Sequence, residues 1–311
     1  MMRARSHEQG FTFIELSIVL TIVGLIVGGV LVGQSLLGAA AVRAQISQIE
    51  KYQAAVNTFK GKYGYLPGDI RDPDASSFGF AARGQYPGEG DGNGILEGVI
   101  ANANAWNYHQ GIAQGTGETA MFWVDLTKAG LIEGGFATAS SNVVVPISSV
   151  TETTTPSLDA YFPNAKLSKG IYVYVWSGGI TFNGNNVDSG DQTNYYGLAP
   201  ISSMTGGSGG GMIATTPPAM TVAQAYNIDM KIDDGFPASG NVTATYVRTN
   251  WPEWSAGSSW NGYQGAWPGT SASSSAYTCF DNGGNATKVM QYSMSQNGGA
   301  GLNCSLSFRF Q

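Results

Sequence analysis

Residues 11–37 read FTFIELSIVLTIVGLIVGGVLVGQSLL, and this run decides how the chain is organised. As a helix it spans about 40 Å, enough to cross a bilayer core of about 30 Å. The ten residues before it, MMRARSHEQG, are polar, carry Arg3 and Arg5, and stop at Gly10. Basic residues before the span and a long acidic remainder after it place the N-terminus in the cytoplasm. A secretory signal has a shorter apolar region followed by small residues at a cleavage site. Ala39, Ala40 and Ala41 follow the run, so cleavage there is the alternative.

Glu15 lies inside the apolar run, where a carboxylate costs on the order of 3 kcal/mol. Two readings stand for it. It snorkels to the headgroup region, or it meets a positive partner, such as a free amine on Phe11 of a neighbouring copy, exposed by a cut after Gly10.

The string Gly10-Phe11-Thr12-Phe13-Ile14-Glu15, behind a short basic leader and ahead of an apolar helix, resembles the processing motif of type IV pilins and type II secretion pseudopilins. The resemblance covers about the first 65 residues. It implies that a prepilin peptidase cuts after Gly10 and that Phe11 is then methylated. It also implies that Glu15 neutralises the N-terminus of an adjacent subunit during assembly. Phe13 stands where Leu is commoner. Val32 stands where many members have proline, so local melting of the helix is not implied. Gly24, Gly28, Gly29 and Gly33 form small-xxx-small pairs that permit close helix approach, or are ordinary transmembrane glycines.

Beyond the span, residues 41–63 carry Ile46, Ile49, Val56 and Phe59 at helical spacing among Arg43, Glu50, Lys51 and Lys60. One continuous helix of about 50 residues, amphipathic in its second half, is the simplest expectation, ended by Leu66-Pro67-Gly68. The organisation expected is a leader at 1–10, a membrane half-helix at 11–37, an amphipathic half at 38–64 and an extracytoplasmic domain at 65–311. Lys62-Tyr63-Gly64-Tyr65-Leu66-Pro67 looks like the segment that follows this helix in pseudopilins.

The remainder reads as short elements between Gly, Pro, Ser and Thr. Residues 117–132 have helical spacing. Lys169–Trp176 alternates as a strand, with Gly178-Gly179 turning into Ile180-Thr181-Phe182 as a hairpin. Thr221 and Gln224 form a capping box for a helix over 221–235, with Gly235 as its stop. Val242–Val247 is a short strand. The last residues alternate, with Cys304, Leu306, Phe308 and Phe310 on a buried face and Ser305, Ser307 and Arg309 outward. Stretches 138–157, 202–219 and 255–276 read as long loops. The fold class is α+β: a long N-terminal helix on a mostly antiparallel sheet domain, the architecture that the pilin resemblance also implies.

Composition narrows the function. The charged fraction is 12%, half the usual share, and the net charge is −6. That balance argues against a nucleic-acid partner. Fourteen per cent glycine excludes a long coiled coil. The only histidines are His7, in the leader, and His109, so there is no histidine-rich zinc site, and no nucleophile–base motif supports an enzyme. Cys279 and Cys304 read as a disulfide pair in an oxidising compartment, against the alternative of two buried thiols.

Two acidic sets are candidates for calcium. Glu89, Asp91, Asn93 and Glu97 place oxygens at alternate positions with Gly94 at the turn, but Ile100 falls where a calcium loop needs its final carboxylate. Asp229, Asp233 and Asp234 surround the end of the 221–235 helix. A solvated acidic surface explains the same letters, as Asx turns do for the first set. Trp251, Trp254, Trp260 and Trp267, with Tyr263 and Tyr277, either anchor loops or bind sugar or protein.

The reading that follows is a pseudopilus subunit. Its alternatives are a type IV pilus subunit, or a membrane-anchored glycan- or protein-binding module that never polymerises. The partners implied by the resemblance are prepilin peptidase, other pilin-like subunits, an inner-membrane assembly platform and membrane lipid. The expected location is the bacterial inner membrane, single-pass, with the C-terminal domain periplasmic.

Overall fold

The computed structural model describes residues 12–84, 87–100, 108–111, 115–141, 150–178, 192–205, 212–214, 219–248, 251–254 and 271–311. The chain divides into two compact units at Ala41/Val42. Helix α1, Phe13–Tyr63, is 51 residues long and runs through both. Up to Leu37 its large apolar side chains are exposed, with no cover from the described residues. The helix stops at Tyr63, a turn earlier than the Leu66-Pro67-Gly68 signal. Gly64 takes a left-handed φ of 80° and donates its N–H to the Lys60 carbonyl, a glycine C-cap.

From Val42 onward the helix is amphipathic as its spacing predicts. Ile49, Val56 and Phe59 are buried, and Ile46 packs against the core edge. Tyr52 meets Trp123 edge-on with centroids 5.0 Å apart. Two glutamines on the buried face satisfy main-chain groups of the sheet domain. Gln45 Oε1 accepts from Lys166 N at 2.7 Å, and Gln48 Nε2 donates to the Asn164 carbonyl at 2.9 Å. Those bonds fix the rotation of the helix as well as its position.

The central sheet has four antiparallel strands: β1 Ile171–Ser177, β2 Asn194–Pro200, β3 Val242–Thr243 and β4 Leu306–Arg309, in the order β1-β2-β4-β3. Helix α2, Gly117–Lys128, and helix α3, Val222–Ile232, occupy two of the segments read as helical. The capping box at Thr221 and Gln224 is formed. Smaller antiparallel ribbons include Thr245–Arg248 with Trp251–Trp254, and Phe280–Asp281 with Gln291–Tyr292. The organisation is α+β.

β1 forms where its alternation places it, and Ile171–Ser177 is buried on both faces. One strand expectation changes. Ser305 and Ser307, read as the outward side of β4, are buried. The polar face is used internally: Trp176 Nε1 donates to Ser307 Oγ at 3.0 Å. β1 pairs with β2 in register from Ile171↔Pro200 to Ser177↔Asn194. Ile180-Thr181-Phe182 lies outside the described residues, as do parts of the loops at 138–157, 202–219 and 255–276.

Candidate functional site

The N-terminal end of α1 carries the first candidate. A helix start leaves four N–H groups without intrahelical partners. Thr12 precedes the helix and its carbonyl accepts the first turn's bond from Leu16 N. Glu15 N–H donates to Thr12 Oγ1 at 3.3 Å, and Glu15 Oε2 accepts from Thr12 N and Thr12 Oγ1, each at 2.8 Å. Thr12 and Glu15 thus form a reciprocal capping box. The sequence reading left Glu15 with only a headgroup or a second subunit; the T-x-x-E spacing that signals a local partner was there to be read.

This pairing uses one carboxylate oxygen. Glu15 Oε1 has no hydrogen-bond partner among the described residues, so an acceptor remains for a cation from outside. Gly10 and Phe11 lie outside the described residues. Farther along, Ser17, Thr21 and Ser35 donate their hydroxyls to the Ile14, Ser17 and Val32 carbonyls, so these polar groups need no water. One 18-residue window has a mean hydropathy of 2.6, and the helix is long enough to cross a membrane. No described atom lies within 4 Å of where a Cβ would stand at Gly24, Gly28, Gly29 or Gly33, which leaves room for a close helix neighbour.

The second candidate, the glycine-rich segment from Glu89 to Glu97, is built differently from a calcium loop. Gly88, Gly90, Gly92 and Gly94 all have positive φ, which lets successive N–H groups turn inward. Asp69 accepts from Gly92 N at 2.7 Å and Gly94 N at 2.8 Å. Glu118, at the start of α2, accepts from Gly90 N at 3.0 Å, Asp91 N at 3.2 Å and Glu97 N at 2.9 Å. The loop's amides thus bond to two carboxylates that come from outside it.

Of the four residues proposed as ligands, only Asp91 joins a carboxylate group, with Asp69 and Glu118 and not with Glu89 or Glu97. Asn93 donates its N–H and its amide to Asp91 and accepts from Ile95 N, as an Asx turn does. Burial pushes the Asp69 carboxyl up to about 7. Glu118 is raised in the same direction, by burial first and then by the nearby Asp69 and Asp91 charges.

Asp229, Asp233 and Asp234 do come together at the end of α3. Asp229 is buried, accepts from Tyr292 Oη at 2.8 Å and Gly235 N at 3.0 Å, and is raised by burial to about 7. Asp233 accepts from Asn241 N and Val242 N, and Asp234 from Phe236 N and Ser239 Oγ. This group too organises main chain, here the connection from α3 into β3.

Cys279 and Cys304 are joined in a disulfide with both residues buried. It ties the Phe280–Asp281 ribbon to the chain just before β4. Trp251 and Trp254 lie on a two-stranded ribbon, Tyr277 is exposed, and Trp260, Tyr263 and Trp267 lie outside the described residues.

Residues 5–31 match the family described as a prokaryotic N-terminal methylation motif. No curated protein and no solved structure matches the chain. The motif supports a type IV pilin-like or pseudopilin family and a substrate of prepilin peptidase that assembles with other pilin-like subunits. Members of that motif family are structural proteins rather than enzymes. With one apolar N-terminal helix, the motif fits a single-pass inner-membrane protein.

Proposed function

We propose that this chain is a structural subunit of a type II secretion pseudopilus. Prepilin peptidase removes residues 1–10 by cutting between Gly10 and Phe11, and Phe11 is methylated. Residues 11–37 store the subunit in the membrane, residues 38–64 dock on the domain at 65–311, and that domain faces the periplasm. An assembly platform then extracts the subunit into a filament whose centre is packed apolar helices.

The observation that carries this reading is the state of Glu15. It sits in the matched segment, at the head of an uncovered apolar helix, with Oε2 held by Thr12 and Oε1 free. A charge that costs on the order of 3 kcal/mol in a bilayer is retained where an incoming ammonium group would offset it. Helix packing and that neutralisation favour the filament over the dispersed membrane subunit. The lean toward secretion over a pilus rests on the pseudopilin-like segment Lys62–Pro67.

The test is Glu15→Leu in the native host. A filament subunit carrying it inserts and is cleaved but does not assemble, and secretion stops. A plain membrane anchor tolerates the change, because leucine removes an insertion cost. Normal secretion with lost surface filaments would move the chain to the pilus branch.

A further inference from the structure

The segment matched to the methylation motif, residues 5–31, holds both the bond assigned to the peptidase and the start of α1. Thr12 stands outside the helix, and the first helical bond runs from Leu16 N–H to the Thr12 carbonyl. In a helix begun one residue earlier, Glu15 N–H would donate to the carbonyl of residue 11. It donates instead to Thr12 Oγ1, at 3.3 Å. Thr12 N–H, which a longer helix would also use, is taken by Glu15 Oε2 at 2.8 Å. Helices grow from an existing end one bond at a time. Diverting Glu15 N–H therefore blocks the next bond as well, from Ile14 N–H to the carbonyl of Gly10.

We infer that Thr12 is a positioning residue for the processing reaction. Its hydroxyl stops α1 at Phe13 and so keeps the Gly10 carbonyl out of helical hydrogen bonding and open to attack. The inference rests on the processing reading above. Hydrolysis puts the oxygen of water on the Gly10 carbonyl carbon, breaks the bond to the Phe11 nitrogen and leaves a carboxylate and an ammonium group. Inside a helix that carbonyl would already be engaged and crowded by the adjoining turn. Without Oγ1, Glu15 N–H has no side-chain acceptor. An unpaired amide is strongly disfavoured in apolar surroundings, so it turns to the carbonyl of residue 11 and the helix advances on the scissile bond. The donor is main chain, so Glu15→Leu leaves the Thr12 cap in place, in keeping with cleavage of that variant.

The experiment measures cleavage of the full detergent-extracted chain by the native host's prepilin peptidase, followed by intact mass, for wild type, Thr12→Val, Thr12→Ser and Thr12→Asn. Valine has the shape of threonine and cannot cap, whereas serine and asparagine both can. Losing a cap shifts the local equilibrium about fivefold in water, and further where amides lack solvent. The expected result is therefore a fall in kcat of at least about fivefold in Thr12→Val. KM should stay the same, because the apolar helix that is common to both forms supplies the binding. Thr12→Ser and Thr12→Asn should stay within about twofold of wild type, since both keep the cap.

Wild-type kcat in Thr12→Val, or a loss carried by KM alone, overturns the positioning role. Cleavage of Thr12→Ser or Thr12→Asn as slow as that of Thr12→Val also overturns it, since the peptidase would then read the threonine side chain itself. In each of these cases the processing reading stands. A wild-type chain that is not cut between Gly10 and Phe11 overturns the processing reading, and this inference with it.

Discussion

Arg83 Nη2 meets Asp125 Oδ2 at 2.6 Å with both side chains shut off from water, and Asp125 also accepts the Gly68 N–H at 2.7 Å. One carboxylate on α2 therefore holds two separate loop segments that follow α1. Burial acts on Asp125 more strongly than its cationic partner does, so its carboxyl is raised rather than lowered. Asp125→Ala would leave a guanidinium buried without its counter-charge and an amide without an acceptor. The expected cost is about 3–5 kcal/mol, read by denaturant unfolding of the detergent-extracted chain. A change under about 1 kcal/mol would mean that the pair is not buried as described.

The capping box at the membrane end predicts a local effect separable from assembly. Thr12→Val removes the hydroxyl that bonds both Glu15 N and Glu15 Oε2, while Thr12→Ser keeps it. Loss of an N-cap costs about 1 kcal/mol, which is about fivefold in local opening. Amide exchange at Glu15 in micelles should rise by about that factor in Thr12→Val and stay unchanged in Thr12→Ser. Equal exchange in all three chains would show that Thr12 does not cap the helix.

The buried carboxylates set the sign of the pH dependence. Asp69 has an ordinary pKa near 3.9 when unfolded and about 7 when folded. Between those values the folded chain binds more protons than the unfolded chain, so stability falls as pH rises through the window and levels off above it. Asp229, also raised to about 7, and Glu118, raised by burial, act with the same sign. In EDTA the domain should therefore melt at a higher temperature near pH 5 than near pH 8, and Asp69→Asn should reduce the difference. A melting temperature that rises toward pH 8 would contradict the burial that raises the Asp69 and Glu118 carboxyls, leaving their amide bonds as the stronger effect.

What the sequence disclosed and what it withheld follow from range. The 3.6-residue spacing of Ile49, Val56 and Phe59 and the box at Thr221 and Gln224 are local, and both were legible. β2 was not: NYYGLAP contains no alternation, and its Gly197 is there because the Tyr174 ring lies where a Cβ would stand. The serine side of β4 is buried rather than outward because Trp176 and Ser307 satisfy each other across the sheet, a pairing distant in sequence. At the acidic loop the local register of Glu89, Asp91, Asn93 and Glu97 suggested a cation site. The actual partners of its amides, Asp69 and Glu118, come from segments on either side of it.

The disulfide gives a further stability prediction. Cys279 and Cys304 close a loop with a sequence separation of 25, and the chain-entropy estimate for such a loop is about 3 kcal/mol. Replacing both cysteines by serine should lower unfolding free energy by about that amount while leaving α1 helical by circular dichroism. No loss of stability would mean that the tie between the Phe280–Asp281 ribbon and β4 is redundant.

Intact mass and N-terminal analysis of the protein extracted from its native host's membrane tests the central claim most directly. The account predicts a mature chain beginning at Phe11 with one methyl group on its amine. A chain still carrying Met1, or one beginning near Ala41, would contradict it.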